Sequence, residues 1–273
     1  MNPSTQESGL RAKDLSLGYE GADIISSLSL NIPTAQVTSI IGPNGCGKST
    51  LLRGLGRLLA PRSGEVFLDG IPLRQHSTRH IATRISVLPQ TPTAPSGLTV
   101  ADLVSRGRHP RQKWYQQFST TDESVVEAAL EATDILELAD TPLEDLSGGQ
   151  RQRAWISMTL AQETGILLLD EPTTYLDLAH QVDVLELVRR LNREHHRTVV
   201  MVLHDISLAA RYSDHIVAMK DGAIIAQGDP TEVITSESLL EVFGLNAHVV
   251  TEPTEGRPHV IPLGTMNGAG SNA

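Results

Sequence analysis

The chain has 273 residues, which is enough to bury a substantial core and favours one domain with an inserted subdomain over two independent folds. Its 22 Lys and Arg are outnumbered by 32 Asp and Glu, so the net charge of −10 excludes a global basic field for holding nucleic acid. Because Cys46 is the only cysteine, an intramolecular disulfide is excluded. The longest apolar run, Val199–Leu203, is too short to span a membrane, so a membrane role requires a partner protein.

The first part of the chain predicts strands followed by a phosphate loop. Apolar and polar residues alternate at Leu15–Leu17 and Leu28–Leu30, as in half-buried strands, and the apolar run Val37–Ile41 stops at Gly42. The phosphate loop comprises Gly42, Pro43, Asn44, Gly45, Cys46, Gly47, Lys48, Ser49 and Thr50. Leucines at helical spacing then predict a helix from Lys48 to near Pro61: Leu51, Leu52, Leu55, Leu58 and Leu59.

Two further predicted strands precede a change from strand patterns to helical patterns. Glu65–Leu68 and Arg84–Leu88 are strand-like, and after Gln90 a stretch rich in Pro, Thr and Ser leads into helical patterns. One helical face is predicted to carry Val125, Ala129, Ala132 and Leu136. Residues 91–160 are therefore expected to form a mainly helical insertion.

The remaining elements favour a parallel sheet of the α/β class. Ile166–Leu169 and Val199–Leu203 flank a helix whose apolar stripe is Leu178, Val182, Leu185, Val188 and Leu191. Ile216–Met219 and Ala223–Ala226 enclose Asp221-Gly222, a hairpin-like turn. Residues 264–273 are small and polar and are expected to be disordered, which leaves 1–263 as a single domain.

The phosphate loop predicts a nucleotide site. Backbone N–H groups at a helix N-terminus surround phosphates, Lys48 reaches the β and γ oxygens, and Ser49 binds Mg²⁺. The non-functional alternative, a chance glycine-rich turn, is disfavoured because the motif falls at a strand-to-helix junction. Cys46 lies at this helix N-terminus, where the pKa of a thiol can fall, or it is an inert small residue.

Two carboxylates, Asp170 and Glu171, end the strand that starts at Ile166, where open α/β sheets bind ligands. Asp170 is predicted to hold Mg²⁺, and Glu171 to orient and polarise an attacking water. The alternative for Glu171, a solvated turn residue before Pro172, is the better interpretation only without the phosphate loop.

Ser147, Gly148 and Gly149 precede another helix and predict a second anion site at its positive end. An ordinary Ser N-cap with the glycines in a turn is the alternative.

Together these motifs resemble the ATP-binding subunits of ABC transporters, and the resemblance spans about Leu10 to Leu263. It implies a P-loop NTPase (RecA-like) core with an inserted helical subdomain and an N-terminal antiparallel β part. It also implies that the signature motif, Leu146, Ser147, Gly148, Gly149 and Gln150, grips the γ-phosphate of ATP held by a second copy of the chain.

The resemblance assigns roles to four further residues. Tyr19 matches the aromatic residue that stacks on adenine, although a lone strand tyrosine more often serves packing. Gln90 matches the glutamine that senses Mg²⁺ and the γ-phosphate and couples to the membrane subunit, and His204 matches the histidine that contacts the γ-phosphate. Asp177 matches the loop that communicates across the dimer, and it also reads as a helix N-cap.

Three stretches resemble the ATPases of ferric-siderophore and cobalamin importers: Arg106–Pro110, Asp170–Gln181 and Leu239–Gly244. The resemblance implies ATP and Mg²⁺ as cofactors, transmembrane permease subunits as partners, an extracytoplasmic substrate-binding protein as an indirect partner, and a place at the cytoplasmic face of the membrane. The Asp170–Gln181 run favours siderophores over cobalamin or haem. The alternatives of another class are a soluble ABC ATPase that acts on DNA or ribosomes, and an assembly factor. The sequence disfavours the first, because it shows neither the long coiled coil of the DNA-repair relatives nor the second ATPase domain of the translation factors.

Overall fold

A computed structural model of the chain describes residues 9–112 and 118–265. The chain divides into two units, one formed by residues up to 75 together with those from 198 onwards, the other by residues 76–197. Of the tail that the sequence predicts to be disordered, Gly264 and Thr265 belong to a strand, and residues 266–273 lie outside the described part. Among the described helices, none combines the length and the apolar character that a membrane crossing requires.

The described strands are, in chain order, β1 (Leu10–Tyr19), β2 (Ala22–Asn31), β3 (Val37–Ile41), β4 (Ser63–Leu68), β5 (Ile71–Pro72), β6 (Ile85–Leu88), β7 (Ile166–Asp170), β8 (Thr198–Val202), β9 (His215–Lys220), β10 (Ala223–Gly228), β11 (Leu245–Thr251) and β12 (Pro258–Thr265). The described α-helices are α1 (Lys48–Leu55), α2 (Thr78–Ala82), α3 (Val100–Ser105), α4 (Thr120–Ala132), α5 (Gly148–Ala161), α6 (Leu178–His195), α7 (Ile206–Tyr212), α8 (Pro230–Val233) and α9 (Ser236–Phe243).

The first unit contains an antiparallel sheet in the strand order β2-β1-β4-β5. β1 buries Leu10, Ala12, Leu15 and Leu17, and its register shifts near Asp14, a non-glycine residue with a φ of 47°. Such a shift, with one strand carrying extra residues, is typical of a β-bulge and bends the strand. The antiparallel β part implied by the resemblance is confirmed.

Parallel strands in the same unit position the phosphate loop. β3 lies between β8 and β9 and is parallel to both, and every residue of β3 and β8 is buried. Parallel strands covered on both faces are buried along their whole length, and these two bury polar as well as apolar side chains, namely Thr38 and Ser39 of β3 and Thr198 of β8. β9 and β10 form the predicted hairpin, in which Asp221 and Gly222 both have positive φ, 48° and 78°, as in a type I′ turn.

In the second unit, β6 and β7 pair in parallel, with Ile85 opposite Ile166 and Leu88 opposite Leu169. Because parallel strands end at the same edge, Asp170 and the residues just after β6 share that edge. The helices α3, α4 and α5 pack against one another within the predicted insertion.

Two helices differ from the sequence prediction. α1 ends at Leu55 because Gly56 caps it and Arg57 turns left-handed, with a φ of 57°, so its predicted extension to Pro61 is wrong and Leu58 is 61% exposed. α4 buries Val126, Ala129 and Leu130 rather than the face through Val125 and Ala132, and Leu136 lies in a separate 3₁₀ turn.

A third difference concerns the start of α6. Leu185, Val188 and Leu191 are buried as predicted, but Leu178 in the first turn is 65% exposed. The apolar stripe of this helix therefore begins after its first turn.

The buried guanidinium of Arg108 ties the helical insertion together. Its Nε donates to Asp122 Oδ1 at 2.8 Å, at the start of α4. Its NH1 donates to the Ala161 carbonyl at 2.7 Å, at the end of α5, and to Glu163 Oε2 at 2.6 Å. Buried charges require this kind of pairing.

Candidate functional site

The phosphate loop leaves β3 at Gly42 and enters α1 at Lys48, at the strand-to-helix junction that the sequence predicts. A Cβ on Gly42 would lie 2.2 Å from the Met219 carbonyl oxygen, so only glycine fits against β9. Gly47 has a φ of 104° and forms the N-cap of α1. The loop therefore presents backbone N–H groups at the positive end of a helix, as anion binding requires.

Lys48 is held inside the loop. Its side chain is buried, and Nζ donates hydrogen bonds to the carbonyls of Gly42 at 2.8 Å and Pro43 at 2.9 Å. Asn44 and Gly45 are exposed at the tip of the loop. The ammonium group is thus fixed among the backbone groups that would surround a phosphate, which fits a nucleoside triphosphate.

The last residues of the loop face inwards to different extents. Thr50 is buried, and Ser49, which is predicted to bind Mg²⁺, is half-buried. The Cys46 thiol is also buried, and this burial raises its pKa even though the Lys48 charge acts in the opposite direction. The expectation of a lowered thiol pKa at this helix N-terminus is therefore wrong, and the interpretation as an inert small residue is the better one.

Tyr19 and His204 belong to the same unit as the phosphate loop. Tyr19 ends β1 with a ring that is 44% exposed, and its hydroxyl accepts a hydrogen bond from Arg53 on α1 at 3.0 Å. An exposed ring fixed at its hydroxyl is suited to stacking on a base. His204 is exposed in the short connection between β8 and α7.

The carboxylates of the second unit lie where the sequence predicts them. Asp170 is the last residue of β7 and is 1% exposed, and Glu171 follows it with 9% exposure. Glu171 has a φ of 53°, a left-handed conformation that costs a non-glycine residue free energy and often marks functional positions. The interpretation of Glu171 as a solvated turn residue is excluded by its burial.

Gln90 and Thr174 orient the Glu171 carboxylate. Glu171 Oε2 accepts a hydrogen bond from Gln90 Nε2 at 2.7 Å and another from Thr174 Oγ1 at 2.9 Å. Gln90, which the resemblance implies to sense Mg²⁺ and the γ-phosphate, is thus in direct contact with Glu171, which is predicted to orient the attacking water. A carboxylate fixed in this way can hold a water molecule in one orientation.

The signature motif forms the first turn of α5. Ser147 is the N-cap, and a capping box joins it to Gln150: the Ser147 N–H donates to Gln150 Oε1 at 3.0 Å, and Gln150 N–H donates to Ser147 Oγ at 3.3 Å. Gly148 and Gly149 are already helical rather than part of a preceding turn. The first N–H groups of a helix have no intrahelical partner, so this end fits an anion as well as an ordinary cap.

Asp177 is the N-cap of α6, as its structural interpretation predicts. Its Oδ1 accepts hydrogen bonds from the His180 N–H at 3.0 Å and from the His180 ring Nδ1 at 2.7 Å. These two bonds lower the pKa of Asp177. The ring of His180 lies against Gly149, where a Cβ would be 2.6 Å from His180 Cδ2.

Sequence reasoning missed three side chains that position these groups: Arg53, Thr174 and His180. Thr174 and His180 fall within the Asp170–Gln181 run, each three residues after a carboxylate that it contacts. A hydroxyl three residues after a strand-end carboxylate, and a histidine three residues after an N-cap, are the local signals that could have found them.

The donor set fits Mg²⁺ bound together with phosphate oxygens. Within residues 9–112 and 118–265, no cluster of three or more His, Cys, Asp or Glu side chains could hold a metal by itself. Mg²⁺ is usually bound by one or two carboxylates together with substrate phosphates. The buried carboxylate of Asp170, predicted to hold Mg²⁺, is consistent with that kind of site and not with an all-protein metal cage.

Comparisons with known proteins agree with this chemistry. The family model described as ABC transporter matches residues 25–174. The ferric enterobactin transport ATP-binding protein FepC of Escherichia coli is 49% identical over 93% of this chain and 94% of its own length. The petrobactin import ATP-binding protein FpuD of Bacillus anthracis is 51% identical over 94% of both chains. The dimeric structure of a bacterial ABC transporter cassette superimposes with a TM-score of 0.71 at 29% identity, covering 81% of this chain and 98% of the other.

Proposed function

We propose, from the premise that the chain belongs to the ABC transporter family, that it is the ATP-hydrolysing subunit of an importer for a ferric siderophore. The names of the relatives support this cargo, since FepC is named for ferric enterobactin and FpuD for petrobactin. Cobalamin and haem are the alternatives. The cargo itself would be bound by other subunits, namely permease subunits in the membrane and an extracytoplasmic binding protein.

Each site residue has a role in this proposal. The phosphate loop binds the triphosphate of ATP through its backbone N–H groups and Lys48, and Tyr19 stacks on the adenine. Ser49, Gln90 and Asp170 would hold Mg²⁺, which neutralises charge on the phosphate oxygens. His204 contacts the γ-phosphate.

The observation that carries the catalytic assignment is the buried Glu171 carboxylate, fixed by hydrogen bonds from Gln90 and Thr174. Glu171 orients and polarises the water that attacks the γ-phosphate. Because Gln90 Nε2 donates directly to Glu171, a movement of Gln90 would disturb the catalytic carboxylate. The same residue can therefore link hydrolysis to the permease.

We place the second anion site in a dimer. Ser147, Gly148 and Gly149 of one copy grip the γ-phosphate of ATP bound to the phosphate loop of the other copy, and Asp177 communicates across the interface. ATP then favours the closed dimer because the γ-phosphate makes contacts in that state only, and hydrolysis removes them. Closure and opening would move the permease, with the chain at the cytoplasmic face of the membrane.

The catalytic assignment is tested by Glu171→Gln, which keeps the shape of the side chain and removes its charge. The rate of ATP hydrolysis by the variant should fall by about 10²–10⁴-fold, while ATP binding is retained. Glu194→Gln, the same exchange at an exposed position of α6, is the matched control and should hydrolyse ATP at the parent rate. A Glu171→Gln variant as active as this control would refute the assignment.

The cargo is tested by uptake in cells. A deletion strain should lose uptake of radioactive iron supplied as a ferric siderophore and keep uptake of cobalamin. Complementation with the parent gene should restore iron uptake, whereas the Glu171→Gln gene should not. Loss of cobalamin uptake with normal iron uptake would instead support the alternative cargo.

A further inference from the structure

The imidazole of His180 occupies the space beside the second glycine of the signature motif. A Cβ on Gly149 would lie 2.6 Å from His180 Cδ2, a distance that real Cβ atoms essentially never show, and 3.2 Å from Cγ, which is also tight. At Gly148, one residue earlier, the nearest atom to such a Cβ is Leu176 Cδ2 at 3.7 Å, an ordinary contact. The ring edge of His180 therefore packs directly on the backbone of α5 at Gly149.

Two hydrogen bonds to one carboxylate oxygen orient this ring, although the side chains of His180 and Asp177 are 49% and 68% exposed. Asp177 Oδ1 accepts hydrogen bonds from both the His180 N–H and the ring Nδ1, at 3.0 and 2.7 Å. Asp177 is itself fixed as the N-cap of α6. One carboxylate oxygen thus sets both the start of α6 and the orientation of the ring that contacts α5.

A second contact joins the same two helices one turn further along. Arg153 of α5 donates from NH2 to Asp183 Oδ2 of α6 at 3.2 Å. The two helices are thus in side-chain contact at their first turns through His180 and Gly149, and at their second turns through Arg153 and Asp183.

We propose that His180 is a positioning residue that fixes the N–H groups of the signature motif relative to Asp177. This inference rests on the proposed function, in which the signature motif and Asp177 both face the second copy of the chain. His180 connects these two elements, because its ring packs on Gly149 while its N–H and Nδ1 bond to Asp177. Binding of ATP between two copies then requires no separate ordering of the α5 N-terminus.

The test uses the full chain carrying Glu171→Gln, in which ATP is bound but not consumed. We compare this parent with its His180→Ala, His180→Asn and His195→Ala derivatives by analytical ultracentrifugation with MgATP. His195, at the exposed end of α6, is the matched control. A fluorescent ATP analogue measures binding to the monomer, and thermal melting reports on the fold.

His180→Ala should weaken the ATP-dependent dimer about tenfold, because the donors are no longer held in place. Its melting temperature and its monomer affinity for the ATP analogue should match those of the parent. The Asn side chain has an N–H donor near the position of Nδ1, so His180→Asn should recover part of the loss. His195→Ala should behave as the parent.

Equal dimerisation of His180→Ala and the parent would overturn the inference and leave the proposed function intact. A parallel loss of melting temperature and monomer ATP affinity would also overturn it, since His180 would then act only in folding. A parent that remains monomeric with ATP would contradict the proposed ATP-bridged dimer and, with it, this inference.

Discussion

The Arg108 cluster gives a prediction about the stability of the helical insertion. The exchange Asp122→Asn removes one of the two carboxylates paired with Arg108 while keeping the size of the side chain. The side chains of Arg108 and Asp122 are only 6% and 11% exposed, so water cannot replace the lost charge. The guanidinium then keeps a single ionic partner, Glu163, whose side chain is 46% exposed.

Removal of one partner from a buried ion pair costs 3–5 kcal/mol of unfolding free energy. Because Glu163 and the Ala161 carbonyl remain bonded to Arg108, we expect the lower end, about 3 kcal/mol. The chain contains a matched control in the pair of Arg62 with Asp23, whose side chains are 38% and 45% exposed. Asp23→Asn should therefore cost less than about 1 kcal/mol.

Urea unfolding followed by circular dichroism measures both variants. Burial opposes ionisation of Asp122, but hydrogen bonds from Arg108 and Ser119 outweigh it and lower the pKa of the carboxyl. A carboxyl with a lowered pKa stabilises the fold above its unfolded pKa of about 3.9, and this contribution is lost as the pH falls through the lower folded value. The difference between the parent and Asp122→Asn should thus persist at pH 5 and disappear only below about pH 4. Equal losses for Asp122→Asn and Asp23→Asn at pH 7 would refute the reasoning.

Three further predictions follow from single contacts. Gly42→Ala should lose nucleotide binding in a fluorescent ATP assay, because its Cβ would lie 2.2 Å from the Met219 carbonyl oxygen; unchanged affinity would contradict this. Cys46 should react with iodoacetamide far more slowly in the native chain than in urea, because the thiol is buried and burial raises its pKa. Mass spectrometry measures the two rates, and equal rates would show an accessible thiol. Gly149→Ala should lower the melting temperature of the parent chain, because the new Cβ would meet the His180 ring. In a His180→Ala background the same exchange should lower the melting temperature much less, since that ring is absent. Equal losses in the two backgrounds would argue against the contact.

Local sequence signals predicted much of the fold. The strand Val37–Ile41 is found with its predicted bounds, and the hairpin turn at Asp221-Gly222 has the two positive φ angles of its type. Both depend on residues adjacent in sequence. The predictions of where α1 ends and which face of α4 is buried were wrong, because both were based on apolar spacing alone. Gly56 ends α1, and the packing of α3, α4 and α5 determines the buried face of α4.

In the candidate site, too, local motifs were predictable from the sequence and contacts between distant residues were not. The phosphate loop and the strand-end carboxylates are readable because each motif is contiguous and its chemistry needs that spacing. The contact of Gln90 with Glu171 joins positions 81 residues apart in sequence, and only resemblance to a family suggested that they act together. The pKa of Cys46 also depends on long-range burial, which the helix N-terminus does not predict.

In the proposed mechanism, the stretch from Glu171 to His180 connects the group that activates water with the groups that face the second copy of the chain. It contains two non-glycine residues with left-handed backbone, Glu171 with a φ of 53° and Tyr175 with a φ of 66°. Its backbone is closed by a hydrogen bond from Thr174 N–H to the Glu171 carbonyl at 3.2 Å, and the Thr174 hydroxyl holds the Glu171 carboxylate. Such conformations persist only when the surroundings over-determine them. If the proposed function is correct, this segment, followed by the bonds of Asp177 to His180 and the contact of His180 with Gly149, is the covalent and packed route from Glu171 to the signature motif.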